Sequence, residues 1–134
     1  MAIFTHVEQQ DLVDFLKSYS IGELISFEGI VEGIENSNYL VITDKGKYIL
    51  TIFEKRVNQI DIPFFMNLQK YVSSNGINCP IPIINNSNDT VNKLNNKNAV
   101  LVSFLEGKQI QKPEPKHCKE VGTMVANFHN ITSS

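Results

Sequence analysis

The sequence has no tryptophan, only two cysteines and no surplus of basic charge. Cys79 and Cys118 stand far apart and outside any C-x-x-C spacing, which argues against a disulfide framework and reads as two free thiols of a cytoplasmic protein. Twelve Lys and Arg against fourteen Asp and Glu leave a net charge of −2, so there is no positive field for gripping a nucleic-acid backbone. No apolar run reaches the roughly 18 residues that cross a bilayer. The stretch from Met1 to Gln10 lacks the basic region and apolar core of a secretory signal. The expectation is a cytoplasmic protein with neither a nucleic-acid nor a membrane partner.

Short catalytic signatures are scarce as well. There is no G-x-G-x-x-G, and Gly46-Lys47-Tyr48 fails the G-K-[ST] of a Walker loop. His6, His117 and His129 are scattered, none at metal-ligand spacing, so no metal site is expected from them. No local pattern marks Ser/His/Asp or Cys/His catalysis. Lys55-Arg56 reads as a surface pair sooner than as an anion site.

What is present is an ordinary globular composition, 42% hydrophobic and 19% charged over 134 residues, enough for one core. Thr5 with Glu8 forms a capping-box pattern ahead of Leu12, Phe15, Leu16 and Tyr19, predicting a helix from His6 to Tyr19. From Leu24 to Phe53 the chain is rich in Ile, Val, Phe and Tyr and is broken by Gly33 to Asn36 and by Asp44-Lys45-Gly46. That pattern predicts three antiparallel strands, about 23–32, 37–44 and 47–54. Asp61 and Pro63 open a second helix, with Phe64, Phe65, Leu68, Tyr71 and Val72 as its apolar stripe and Gly76 at its end. Pro80 and Pro82 bracket an extended piece. Asn85 to Asn98, with seven asparagines, reads as a hairpin with a polar tip. Ala99 to Leu105 is a continuous apolar run of buried-strand character. Pro115 opens a last helix whose Val121, Met124, Val125 and Phe128 recur on one face. The sum is an α+β fold, a five-stranded antiparallel sheet with packed helices.

Two stretches are candidates for ligand contact. Gly29 and Gly33, in the segment running to Asn36 and Ser37, let a hairpin backbone approach phosphate oxygens, although a glycine pair serves plain turn chemistry more often. Ser103, Phe104 and Leu105, before Glu106-Gly107, suit a hinge whose backbone meets an adenine edge, and also suit a plain core strand with a turn.

Several segments carry a resemblance in combination: Phe4-Thr5-His6-Val7; Gly29-Ile30-Val31-Glu32-Gly33-Ile34-Glu35-Asn36-Ser37-Asn38-Tyr39; Tyr48 to Val57; Ile62-Pro63-Phe64-Phe65; and Leu101-Val102-Ser103-Phe104-Leu105-Glu106-Gly107. Together they resemble the N-terminal part of bacterial ATP-dependent homoserine kinases of the aminoglycoside/choline phosphotransferase type. The resemblance runs along nearly the whole chain and implies a protein-kinase-like lobe over residues 1–107. Residues 108–134 would then be a connector and the first helix of an incomplete second lobe. It implies ATP and magnesium as cofactors and L-homoserine as the acceptor of the phosphoryl group, a step of threonine biosynthesis, with the protein mainly positioning reactants and offsetting charge. By position, Gly29, Gly33, Asn36 and Ser37 would lie over the phosphates, and Ser103, Phe104 and Leu105 would hold the adenine.

The chain departs from that family in two places. Many relatives carry a phosphate-pairing lysine in the third strand, where this chain has Thr51, with Lys55 on the same strand face by parity. The catalytic Asp and Asn and the metal-binding Asp of such kinases follow the helix that ends here, so no catalytic or metal-ligating residue is expected within these 134 residues. The chain alone is expected to be inactive, as a fragment of such a kinase or as one half of a split enzyme whose other lobe a second polypeptide supplies. A non-catalytic nucleotide- or protein-binding lobe, a relic without a role, and a sibling small-molecule kinase remain alternatives. The stripe of the last helix is expected to be unpacked, leaving that helix loosely held or self-associating.

Overall fold

The computed structural model describes residues 4–133. Five strands, β1 (Leu24–Gly29), β2 (Ser37–Thr43), β3 (Gly46–Ile52), β4 (Asn92–Leu94) and β5 (Lys97–Ser103), form one antiparallel sheet in the order β1-β2-β3-β5-β4. Three α-helices accompany it: α1 (Gln9–Leu16), α2 (Ile62–Ser74) and α3 (Pro115–Thr132).

The register separates the side chains onto two faces. Tyr39, Leu50 and Leu101 lie in line across β2, β3 and β5, as do Ser37, Ile52 and Ala99. Tyr39, Leu50, Ile52, Ala99 and Leu101 meet Leu12, Phe15 and Leu16 of α1 in the main core. Leu12, Leu50 and Leu101 are fully buried, each contributing about 1.5–3 kcal/mol. The other face carries Asn38, Thr51 and Val100 in line, then Leu40, Ile49 and Val102. Ile62 and Met66 of α2 cover one end of it, against Val100 and Phe53.

The five strands, their antiparallel pairing and the second turn are as expected, but three expectations are corrected. α1 begins at Gln9, not His6, and its cap residue Glu8 makes no side-chain bond. Thr5 does not cap it because its hydroxyl donates to Glu54 instead. β1 ends at Gly29, so Ile30 to Asn36 form a loop wider than the expected turn, closed where Ile30 N–H donates to Asn38 C=O at 2.9 Å. α2 buries Ile62, Met66 and Val72, whereas Phe64 is 63% exposed and Phe65 and Tyr71 are also exposed. The sheet selects the face with Ile62 and Met66, which cluster with Phe53 and Val100, not the face with the larger rings.

The β4–β5 hairpin turns at Asn95-Asn96, both left-handed at φ 50° and 62°, a conformation asparagine tolerates better than most residues. Pro82 bridges Val102, and Ile83 N–H donates to Leu101 C=O at 2.8 Å, so the proline-bracketed segment runs extended beside β5. Cys79 and Cys118 are both free thiols.

Candidate nucleotide site

α1 packs on one face of the sheet, and α2 on one end of the other. Between α2 and β1 that second face stays open, with Leu40, Ile42 and Ile49 half-buried. Seven residues expected to bind a nucleotide fall into two groups at opposite ends of this open strip. Gly29 closes β1, Gly33 sits in the following loop at φ 106°, and Asn36 and Ser37 lead into β2. Ser103, Phe104 and Leu105 lie where β5 ends. Ser37 and Ser103 stand in line with Ile52 and Tyr48, four residues apart along β3, which spans about 13 Å.

The side chains within the two groups differ in what they can offer. Ser37 is fully buried and points to the α1 face. Its Oγ donates to Glu54 Oε1 at 2.7 Å and accepts from the N–H groups of Phe4 at 2.8 Å and Thr5 at 3.0 Å. Its hydroxyl is therefore committed inside the protein. Asn36 Oδ1 accepts from Glu54 N–H at 3.2 Å. Ser103 Oγ accepts from Ile81 N–H at 2.8 Å, and Ser103 N–H donates to Ile81 C=O at 2.9 Å. Phe104 is half-buried with the Lys47 ammonium 5.4 Å from its ring centre, and Lys47 also pairs with Glu106 at 3.6 Å. Phe104 and Leu105 lie beyond the β5 ladder.

Thr51 occupies the open face and donates to Asn38 Oδ1 at 2.8 Å. Lys55 and Arg56 are exposed beyond the end of β3. With Phe4, Ile34, Glu35, Glu54 and Lys97 they line a cavity of about 420 Å³ beside the loop.

The most developed polar cluster was not visible from local sequence. Glu54, 8% exposed, accepts from Thr5 Oγ1 at 2.7 Å and Ser37 Oγ at 2.7 Å through one oxygen, and from Lys97 Nζ at 2.6 Å through the other. Lys97 Nζ also donates to Thr5 Oγ1 at 2.7 Å. Burial alone pushes the Glu54 carboxyl up. The hydrogen bonds from Lys97, Ser37 and Thr5, with the Lys97 charge, outweigh burial and hold it below the ordinary carboxylate value. The one sequence signal for this is parity: Leu50, Ile52 and Glu54 alternate onto the same inward face.

Among the described residues there is no group of three His, Cys, Asp or Glu able to hold a metal ion, and no helix long and apolar enough to cross a membrane.

The profile of the phosphotransferase enzyme family, called APH, matches residues 26–133. The chain belongs to this phosphotransferase family. A homoserine kinase from Allorhizobium ampelinum is 47% identical over 129 residues, covering 96% of this chain and 40% of that protein. A homoserine kinase from Rhizobium meliloti is 44% identical over 129 residues with the same coverage. The chain thus spans about 40% of the length of the homoserine kinases it matches. Among solved structures, a spectinomycin phosphotransferase in complex with ADP and spectinomycin superposes with a TM-score of 0.75 at 14% identity, covering 96% of this chain and 39% of that one. An aminoglycoside phosphotransferase from Alicyclobacillus acidocaldarius superposes with a TM-score of 0.69, also at 14% identity, covering 96% of this chain and 36% of that one. These two likenesses establish the fold: this chain carries the same sheet-and-helix lobe as those two structures.

Proposed function

We propose that this chain is the nucleotide-binding part of a homoserine kinase, which transfers the terminal phosphoryl group of ATP to the hydroxyl of L-homoserine in threonine biosynthesis. The observation that carries this reading is the 47% identity to a homoserine kinase across 129 residues. Residues 1–107 are the nucleotide lobe, and residues 108–134 are the connector and first helix of a second lobe. Catalytic residues and the acceptor pocket belong to the part of the relatives that this chain does not span. ATP and L-homoserine are the ligands on this reading, and the cytoplasm is the compartment that suits the reaction.

On this reading the base lies on the half-buried Leu40 and Ile49, with its edge toward the backbone of Phe104 and Leu105. The phosphate chain runs toward the Gly29–Ser37 loop, where backbone N–H groups face its oxygens. Gly33, at φ 106°, gives that loop a conformation most side chains resist. Asn36 and Ser37 act by holding the loop, since their side chains bond within the protein. When bound, magnesium offsets phosphate charge in such transfers. The donors needed to hold it are not grouped among the described residues.

The test is titration of the chain with ATP, followed by a homoserine phosphorylation assay with a second polypeptide spanning the remaining length of a relative. Millimolar ATP affinity and restored phosphorylation of homoserine are expected. No ATP binding, or restored transfer to an aminoglycoside but not to homoserine, would falsify the reading.

A further inference from the structure

We propose that Glu54 is a positioning residue that anchors the foot of the phosphate-facing loop from the opposite side of the sheet. The inference rests on the nucleotide reading above, and it assigns a purpose to a polar cluster that lies away from the open face.

The loop from Ile30 to Asn36 has two feet. The first is tied by the sheet ladder, through Ile30 N–H and Asn38 C=O. The second foot, Asn36-Ser37, is tied by Glu54 twice. Its backbone N–H donates to Asn36 Oδ1, and its carboxylate accepts from Ser37 Oγ. The carboxylate is in turn fixed by Thr5 and Lys97, so three chain segments converge on one buried anion.

The N-terminal segment completes the anchor. Phe4 and Thr5 donate their backbone N–H groups to Ser37 Oγ, and Thr5 C=O accepts from Tyr39 Oη at 2.7 Å. The strap therefore closes over the start of β2 through its own bonds, and Glu54 adds a second tie by accepting from both Thr5 Oγ1 and Ser37 Oγ. A buried carboxylate is costly unless paired and fully hydrogen-bonded. An apolar residue at position 54 would fill the same space without binding both hydroxyls, so the arrangement specifies geometry at the loop foot. A loop ordered before its ligand arrives loses less entropy on binding.

The mechanism separates ligands with phosphates from those without. Loosening the foot weakens contacts to the phosphate chain and leaves the base contacts at the far end of the strip intact. The experiment uses the 134-residue chain and compares the wild type with Glu54→Gln, which keeps the side chain's size but removes its charge. ATP and adenosine are titrated separately, and backbone 15N order parameters are measured in the absence of ligand. In Glu54→Gln, ATP affinity is expected to fall about tenfold with adenosine affinity unchanged, since only preorganisation of the phosphate end is lost. The order parameters of Asn36 and Ser37 are expected to fall from about 0.85 toward about 0.6, with those of Val41 and Leu50 unchanged.

Thr5→Val removes one hydroxyl from the same carboxylate and shifts both readouts in the same direction by less. It carries the test if Glu54→Gln does not fold. Equal weakening of ATP and adenosine in a folded variant, or unchanged order at Asn36 and Ser37, overturns the proposal. A wild-type chain that binds neither ligand overturns the nucleotide reading and the phosphate role with it; the order parameters then decide the anchoring role separately.

Discussion

Thr51 and Asn38 stand directly opposite each other on β3 and β2, and the Thr51 hydroxyl donates to Asn38 Oδ1 at 2.8 Å. This neutral pair occupies the open face of the sheet at the strand position where the homoserine-kinase resemblance led us to look for a lysine. The pair holds two strands together at the level of the loop foot, but it brings no charge to a phosphate. On the nucleotide reading, charge compensation therefore falls to groups outside β3. Thr51→Val is expected to lower stability by about 1 kcal/mol, the net worth of one hydrogen bond. A urea midpoint shift with unchanged slope is the measurement, and a midpoint equal to wild type would show that the pair is not formed in solution.

Acid sensitivity follows from Glu54. Its carboxyl is held below the ordinary value of 4.5 in the folded chain. A group with a depressed folded pKa contributes stability that is present above its unfolded pKa and is lost as pH falls through the folded one. The contribution is thus complete at neutral pH and disappears progressively below about pH 4.5. Stability measured by urea denaturation at pH 7 and again below pH 4 should fall less in Glu54→Gln than in wild type. Parallel losses in the two proteins would place the acid-labile group elsewhere.

The sheet was legible because its strands alternate or run apolar, and because Asp44-Lys45-Gly46 and the asparagine-rich stretch from Asn85 to Asn98 mark turns in the sequence itself. The misread parts share a cause, which is competition from groups distant in sequence. Thr5 and Glu8 match a capping box, yet Thr5 is drawn to a carboxylate 49 positions away. Phe64 and Phe65 look more core-like than Met66, but it is Met66, with Ile62, that packs into the cluster with Phe53 and Val100. At the candidate site, the glycine-containing turn and the buried strand were legible from local pattern, but β1 stops at Gly29 and not at residue 32, and β5 stops at Ser103 and not at Leu105. The commitment of the Ser37 hydroxyl to the opposite face was not legible there, since it depends on Glu54 and on a lysine 43 positions further on.

Tyr19 supplies a prediction at the opposite end of the pH scale. Its ring packs against Phe15 with centroids 5.3 Å apart, and its hydroxyl oxygen is buried with no hydrogen-bond partner in good geometry among the described residues. Burial, opposed in part by the neighbouring Asn92 amide, pushes its pKa up to about 12. The unfolded tyrosine ionises near 10, so stability should fall between about pH 10 and 12, where only the unfolded chain releases this proton. Tyr19→Phe removes an unpaired buried hydroxyl while keeping the ring. It should be neutral or stabilising by up to about 1 kcal/mol and should reduce that alkaline loss, the part owed to Tyr39, whose pKa burial also raises, remaining. A clear destabilisation on thermal or urea denaturation would show that the hydroxyl has a partner after all.

The last helix tests how unevenly stability is distributed. Val121, Met124 and Val125 are 56%, 50% and 45% exposed, as the sequence led us to expect for an unpacked stripe. The helix meets α2 along a groove lined by Phe65, Leu68, Met124 and Phe128, and Tyr71 Oη donates to Ile131 C=O at 3.1 Å. No residue of α3 is buried, so little apolar contact holds it against local opening. Val125→Ser should therefore change global stability by less than about 0.5 kcal/mol. Leu101→Ala, in the fully buried centre of β5, should cost about 2–5 kcal/mol. Amide exchange should follow the same division, with α3 amides exchanging well before those of β3 and β5. Protection of α3 equal to that of the sheet, in a chain shown to be monomeric by sedimentation, would mean that the α2 groove holds the helix far more firmly than its exposed stripe implies. If protection rises with protein concentration, self-association is what covers the stripe.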